Sequence, residues 1–247
     1  MISGVYASAS SLLSLEKSQN IITHNLANAN TMGYKRNRAK FSTFEEALAS
    51  EGVQTTAELA KDAPMISSEI DFSSGNTTET GNPLDLAIQG KAFFVLQSPT
   101  GLRYTRKGNF CLSTDRKIVS DAGWPLQGRG GDITAPEGTK TIRIDLDGNV
   151  YADGESIDQI SLAEVVDPDQ VLVRSDHTTF RTMTDTGAAL PASTMAKVHQ
   201  GRLERSNVSV MHELVAMIAT LRMFEANQRM LVQQDGTLQK LTQFART

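Results

Sequence analysis

Asn25-Leu26-Ala27-Asn28-Ala29-Asn30-Thr31-Met32-Gly33-Tyr34-Lys35 is the stretch on which the organisation of this chain turns. Asn28, Asn30 and Gly33 form a helix stop, because Asn and Gly accept the left-handed backbone found where helices end. Counting backwards from Leu26 in alternating threes and fours gives Ile22, Gln19, Leu15, Leu12, Ser8, Val5 and Met1. This is a heptad-like seam, softened by small or polar residues at Ser8 and Gln19. Ser3, Ser10, Ser14 and Lys17 fall mostly on other faces, and no proline interrupts the run. The reading is an N-terminal helix followed by a turn with Gly33 in the left-handed region.

The far end of the chain carries the same alternation in stronger form. Val210, Leu214, Met217, Leu221, Phe224, Gln228, Leu231, Asp235 and Leu238 follow it, and Met211, Val215, Ile218 and Val232 widen the apolar face. Ser206 or Asn207 serves as the N-cap. At 1.5 Å per residue such a helix is roughly 50 Å long, and its apolar face needs a partner. The two terminal seams can pair, yet each keeps apolar surface in excess of one partner. That excess favours assembly between chains over a hairpin folded back on its own middle domain.

Between the helices the texture changes twice. Residues 36–81 are rich in Ser, Thr, Glu and Ala and read as a linker, with one short helix near Phe44–Ala49. From about 82 to 185 the pattern is β, with turn signals every ten residues or so. Leu84–Ile88 alternates, and Ala92–Leu96 is a short apolar run followed by a turn at Ser98-Pro99-Thr100-Gly101. Asp147-Gly148 and Asp153-Gly154 mark further hairpins. The fold class is therefore α+β. An inner domain of two long coiled-coil-like terminal helices (1–35 and 201–247) flanks the linker (36–81) and a small antiparallel β-rich outer domain (82–200).

Composition removes several functions. The 247 residues carry 24 Lys+Arg against 28 Asp+Glu, a net charge of −4 with no basic stripe, which argues against nucleic acid as a partner. Cys111 is the single cysteine and the four histidines are scattered, so no cysteine-based zinc cluster and no cofactor is expected. No apolar run is long enough to span a bilayer, and the first residues lack the basic start of a secretory signal. Asp145–Asn149 resembles the start of a calcium loop, but Val150 and Ser156 occupy its glycine and glutamate positions, so a hairpin turn is the better reading. Gly128-Arg129-Gly130-Gly131 lacks the third glycine of a dinucleotide fingerprint, since Ile133 stands there. Ser14-x-x-Lys17 is a chance match on an exposed helix face, and Asp167 and Asp169 flank Pro168 in a solvated turn. An enzyme, such as a cell-wall hydrolase, would need a carboxylate pair in a cleft or a metal cluster, and neither can be placed.

The strings themselves resemble a known family. Asn25-Leu26-Ala27-Asn28, then Thr31-x-Gly33, an aromatic at Tyr34 and a base at Lys35, is similar to the N-terminal signature of the bacterial flagellar rod and hook proteins. Gly201-x-Leu203-Glu204-x-Ser206-Asn207-Val208, Glu213-Leu214-Val215-x-Met217-Ile218 and Arg222-x-Phe224-Glu225 resemble the family's other end. Gly90-x-x-Phe93-Phe94 and Tyr104-Thr105-Arg106-x-Gly108-x-Phe110 resemble its β-domain motifs. Length and the Ile133–Gly138 string are most like the proximal rod protein adjoining the distal rod, with the distal rod protein as runner-up.

The resemblance implies a structural, non-enzymatic axial subunit of the basal-body rod. Its partners would be copies of itself, the rod proteins above and below, and the flagellar type III export apparatus, with no cleaved signal peptide. It also implies an assembly motif of Asn25, Leu26, Ala27, Asn28, Thr31, Gly33, Tyr34 and Lys35. The C-terminal seam of Val210, Leu214, Met217, Leu221, Phe224, Leu231 and Leu238 would complete the assembly surface.

If Gly33 is left-handed, Gly33→Val costs roughly 1–2 kcal/mol or more and blocks incorporation into basal bodies. Gly33→Asn, which tolerates that backbone, is then expected largely to spare it. Western blots of purified basal bodies check both.

Overall fold

The computed structural model describes residues 2–43, 64–183, 190–193 and 195–244. The short helix expected near Phe44–Ala49 lies outside the described residues. The chain divides into two compact units.

The first unit contains α1 (Ile2–Ala27), the antiparallel pair β1 (Asn37–Thr43) and β2 (Pro64–Ile70), and the C-terminal helix. The residues read as a linker therefore hold a two-stranded ribbon, in register from Asn37↔Ile70 to Thr43↔Pro64. Their Ser- and Thr-rich composition is that of a half-exposed strand pair, and it hides the alternation that a deeper sheet would show. In α1, Leu15 and Ile22 are buried as expected, but Ser14, Ser18 and Asn25 are buried with them, while Gln19 and Leu26 are only half-buried. The face assigned to Ser14 is thus corrected. Small side chains on the packed stripe let α1 lie close to the C-terminal helix and to β2.

The second unit comprises residues 28–36 and 72–208. It begins with β3 (Thr77–Glu79), β4 (Leu86–Gln89), β5 (Ala92–Ser98), β6 (Gly101–Thr105), β7 (Phe110–Leu112), β8 (Ile118–Ser120), β9 (Gln127–Gly128) and β10 (Gly131–Asp132). There follow β11 (Ile142–Ile144), β12 (Asn149–Ala152), β13 (Glu155–Gln159), β14 (Leu162–Glu164), the short helix α2 (Pro168–Val171), β15 (Leu172–Arg174), β16 (Thr179–Thr182), β17 (Lys197–Gln200) and β18 (Arg202–Glu204). Asp167 and Asp169 thus flank the start of a one-turn helix rather than an open turn.

The central sheet is antiparallel, in the order β14-β5-β6-β16-β15. Successive side chains on a strand point to opposite faces, so Phe93 and Phe94 on β5 enter two different clusters. Phe94 joins Leu86, Phe110, Leu126, Val150 and Val198 in the main core. Phe93 instead meets Phe72 and Phe180, with ring centroids 5.8 and 5.9 Å away. Cover on both faces explains why the Ala92–Leu96 run is apolar throughout rather than alternating.

The hairpins sit where turn chemistry put them. Asp145 Oδ1 accepts the Asp147 and Asn149 amides and closes the β11–β12 turn, which is the work of the calcium-like string. Asp153 and Gly154, both at positive φ, close β12–β13. The Gly128–Gly131 string is the β9–β10 turn.

The C-terminal helix α3 spans Val210–Phe244. It begins after the expected caps: Ser206 Oγ accepts the Val208 amide, and Asn207 is engaged elsewhere. Its buried residues are Glu213 and Thr220, and Met217, Phe224, Asn227, Leu231 and Gln234 are half-buried. These positions alternate by four and three, so the packed stripe shares Met217, Phe224 and Leu231 with the seam read in the sequence and takes Glu213, Thr220, Asn227 and Gln234 where that seam had the residue after each.

Residues 72–81 and 197–208 are hydrogen-bonded into the β-rich unit. Limited proteolysis of the purified chain is therefore expected to leave a core beginning near Phe72 and reaching Val208, longer at both ends than the 82–185 read from the sequence. N-terminal sequencing and intact mass of the resistant fragments measure it.

Candidate functional site

The N-terminal string leaves the α1 helix after Ala27, whose side chain is exposed, and turns at once. The Thr31 amide donates to the Asn28 carbonyl at 3.1 Å, and Thr31 Oγ1 donates to Asn28 Oδ1 at 3.2 Å. Gly33 is left-handed, with φ +67°, six residues beyond the helix end. Its role is therefore not a helix cap. A Cβ built on Gly33 would stand 2.4 Å from the Lys107 nitrogen and 2.6 Å from the Arg106 carbonyl carbon. The glycine is fixed by close approach of two backbones as well as by its dihedral angle.

Lys35 is fully buried. Its ammonium donates to Glu204 Oε1 and to the Ser73 carbonyl, each at 2.7 Å. Glu204 Oε1 also accepts the Gly75 amide at 2.9 Å, and Oε2 accepts from Arg106 Nη1 at 3.3 Å. The Glu204 carbonyl accepts the Gly33 amide at 2.8 Å. One glutamate in the C-terminal string thus holds the N-terminal string by backbone and side chain together.

Arg106 is nearly as deeply buried. Its guanidinium lies 5.0 Å over the Phe93 ring and donates to the Gly90 carbonyl at 2.6 Å. Burial pulls its pKa below the ordinary arginine value, and the Glu204 charge opposes that pull. Arg174 stacks at 4.8 Å over Tyr34 and 5.3 Å over Phe180, and donates to the Lys35 carbonyl. Tyr34 and Lys35 are accordingly interior residues rather than surface contacts.

Asn207 ties the same region from the outside. Its Oδ1 accepts the Arg36 amide at 2.8 Å, and its Nδ2 donates to the Ser73 carbonyl at 3.1 Å.

Asn25, in the helical unit, is a second hub. Its side-chain amide exchanges two hydrogen bonds of 2.8 Å with the Asn37 backbone and donates to Glu213 Oε2 at 3.3 Å. The amide acts as a piece of β-ladder fastened to the end of α1. Leu26 is half-buried beside it.

The C-terminal seam is divided. Met217, Phe224 and Leu231 are half-buried, whereas Val210, Leu214 and Leu221 are 44, 40 and 47 % exposed. Met211, Val215, Ile218, Met223, Met230 and Val232 are exposed as well. The side chain of Leu238 lies outside the described residues.

Sequence reasoning chose the N-terminal string but missed its counterparts Glu204, Arg106, Arg174, Asn207 and Glu213 as site residues. No local pattern singles out Arg106, which lies just past β6 beside Lys107, or Glu204, which stands between Leu203 and Arg205. No described group of three or more His, Cys, Asp or Glu is placed to hold a metal, and no described helix is long and apolar enough to cross a membrane.

Comparison with known proteins agrees with the layout. A family model described as flagella basal body rod protein matches residues 6–35. One described as the flagellar hook protein FlgE/F/G D1 domain matches 87–152, and one described as the flagellar basal body rod FlgEFG protein C-terminal matches 199–244. The flagellar basal-body rod protein FlgG of Buchnera aphidicola is 32% identical, over 98% of this chain and 100% of its own length. The rod proteins FlgF and FlgG of Caulobacter vibrioides are 32% and 31% identical, over 94% and 95% of this chain and 93% and 96% of their own lengths.

Gly33→Ala and Gly33→Asn are both expected to destabilise the β-rich unit by more than the roughly 1–2 kcal/mol of the dihedral alone, because either Cβ overlaps the Arg106–Lys107 backbone. This replaces the expectation that Asn is tolerated. Thermal denaturation of the two variants beside the parent checks it. The chain is a structural rod subunit and belongs to the flagellar basal-body rod protein family.

Proposed function

We propose that this subunit builds the basal-body rod by packing its terminal helices against those of other copies and of the rod proteins above and below. The observation that carries the proposal is the apolar face of α3, where Val210, Leu214, Val215, Ile218 and Leu221 stay outside the packed stripe. Contiguous exposed apolar surface of this kind is a protein interface in a water-soluble chain. A coiled-coil-like inner domain then forms on assembly, when neighbouring helices cover that face.

The Asn25–Lys35 motif acts in this scheme through geometry. Asn25 fixes the end of α1, Asn28 and Thr31 turn the chain, and Gly33, Tyr34 and Lys35 anchor the turn in the β-rich unit. The division into residues 1–35, 36–81, 82–200 and 201–247 is kept as the scheme for the assembled rod. The type III apparatus exports the chain, and the subunit resides in the periplasm-spanning rod. Its placement as the proximal rod protein rests on length and on the Ile133–Gly138 string, with relatives of both names, FlgF and FlgG, at similar identity.

Leu221→Asp tests the interface. The side chain is 47 % exposed in the single chain, so the monomer's stability should change little, by less than about 0.5 kcal/mol. In the rod every copy would bury an unpaired carboxylate, at several kcal/mol each, and rods and swimming should be lost. Normal motility with Leu221→Asp as the sole copy overturns the interface. A melted monomer would instead favour an intramolecular hairpin.

A further inference from the structure

Four segments of the β-rich unit meet around a cleft of about 340 Å³, within the roughly 300–1,000 Å³ usual for small-ligand sites. The N-terminal string contributes Asn28 and Thr31, and the link from β6 to β7 contributes Lys107 and Asn109. The turn after β8 adds Asp121 and Trp124, and the β15–β16 loop adds Asp176 and His177. The string that Gly33, Tyr34 and Lys35 anchor inside the unit thus also lines a cavity.

The lining selects a class of ligand. Lys107 pairs with Asp121, so the ammonium is already matched by a carboxylate. An anion in the cleft would face Asp121 and Asp176, and a cation would face Lys107; a neutral molecule meets neither penalty. Trp124 packs against the main core and also lines the cleft, which gives it one flat apolar wall. The rest of the lining mixes donors and acceptors. Thr179 Oγ1 and Asn109 Oδ1 belong to lining residues and are buried without a hydrogen-bond partner among the described residues. Such atoms are rare and costly, and two at one cleft call for donors. A turn of either side chain brings its oxygen to an incoming hydroxyl group, which both donates and accepts.

We infer that this cleft binds a neutral pyranose, with the C–H face of the sugar ring on Trp124 and hydroxyl groups on Asp121, Asp176 and Asn109. A pyranose is apolar on that face and polar round its rim, which matches one aromatic wall beside carboxylates and an amide. The cleft is built by the β-rich unit alone, so the inference is independent of the α3 interface.

The test is a titration of the nitrogen-15-labelled full chain with glucose, cellobiose, N-acetylglucosamine and N,N′-diacetylchitobiose, each to about 50 mM, read by proton–nitrogen NMR spectra. Trp124 is the only tryptophan, so its indole N–H gives the single indole signal. At least one sugar should shift that signal and the amides of 28–31, 107–109, 121–124 and 176–179 saturably, with a Kd of about 1–10 mM. A disaccharide about ten-fold tighter than its monosaccharide assigns a glycan as the source, and equal affinities assign a free sugar; both sustain the site. No saturable shift, shifts matched by the acyclic polyol mannitol, or shifts confined to other segments overturn it. Asn109→Ala/Asp176→Ala should weaken binding about ten-fold or more, and an unchanged affinity overturns the proposal. If that variant does not fold, Asp176→Ala alone, at an exposed position, should weaken binding about three-fold, and an unchanged affinity again overturns it.

Discussion

The buried group of Lys35, Glu204 and Arg106 is the constraint around which the β-rich unit is arranged. In it one carboxylate, Glu204, pairs with two cations, Lys35 and Arg106. Carbonyl dipoles at Ser73, Ile88 and Gly90 and the Phe93 ring face also meet these cations. Every one of those partners must be in place at once, which fixes the end of β4, the start of β5 and the N-terminal string relative to one another. An apolar substitute of equal volume could fill the space, but it would specify none of these positions.

The helical unit solves a different problem. On α3 the polar residues Glu213, Thr220, Asn227 and Gln234 recur every seven residues on the more buried stripe, with Met217, Phe224 and Leu231 between them. A polar residue at each repeat weakens a helix contact but defines its register. Glu213 shows how, through its hydrogen bond from Asn25. Most of the helix's large apolar side chains are consequently left on the other side.

Much of this was legible in the sequence, for reasons that differ by element. Hairpins were readable because turn residues declare themselves locally, as at Asp145–Asn149 and Asp153-Gly154. The long helices were readable from periodicity, but the buried stripe only in part. Ser14, Ser18 and Thr220 are buried because they are small, and a search for apolar residues passes over them. The β1–β2 ribbon was missed because a two-stranded, Ser- and Thr-rich pair has little buried face to show. Gly33 was read for its dihedral angle, whereas its tighter constraint comes from Lys107, 74 positions away in the chain. Likewise Glu204 reveals its role only once Lys35 and Arg106 are brought to it, and no local pattern encodes that meeting.

Asn207 has a mechanical consequence. The backbone leaves the β-rich unit after Arg36, returns at Phe72 and leaves again after Val208. Asn207 is hydrogen-bonded to Arg36 and to Ser73, so these three crossings are riveted within one side chain's reach. Tension or torsion arriving along any of these strands is transferred directly to the others at that rivet, through short bonds loaded side by side.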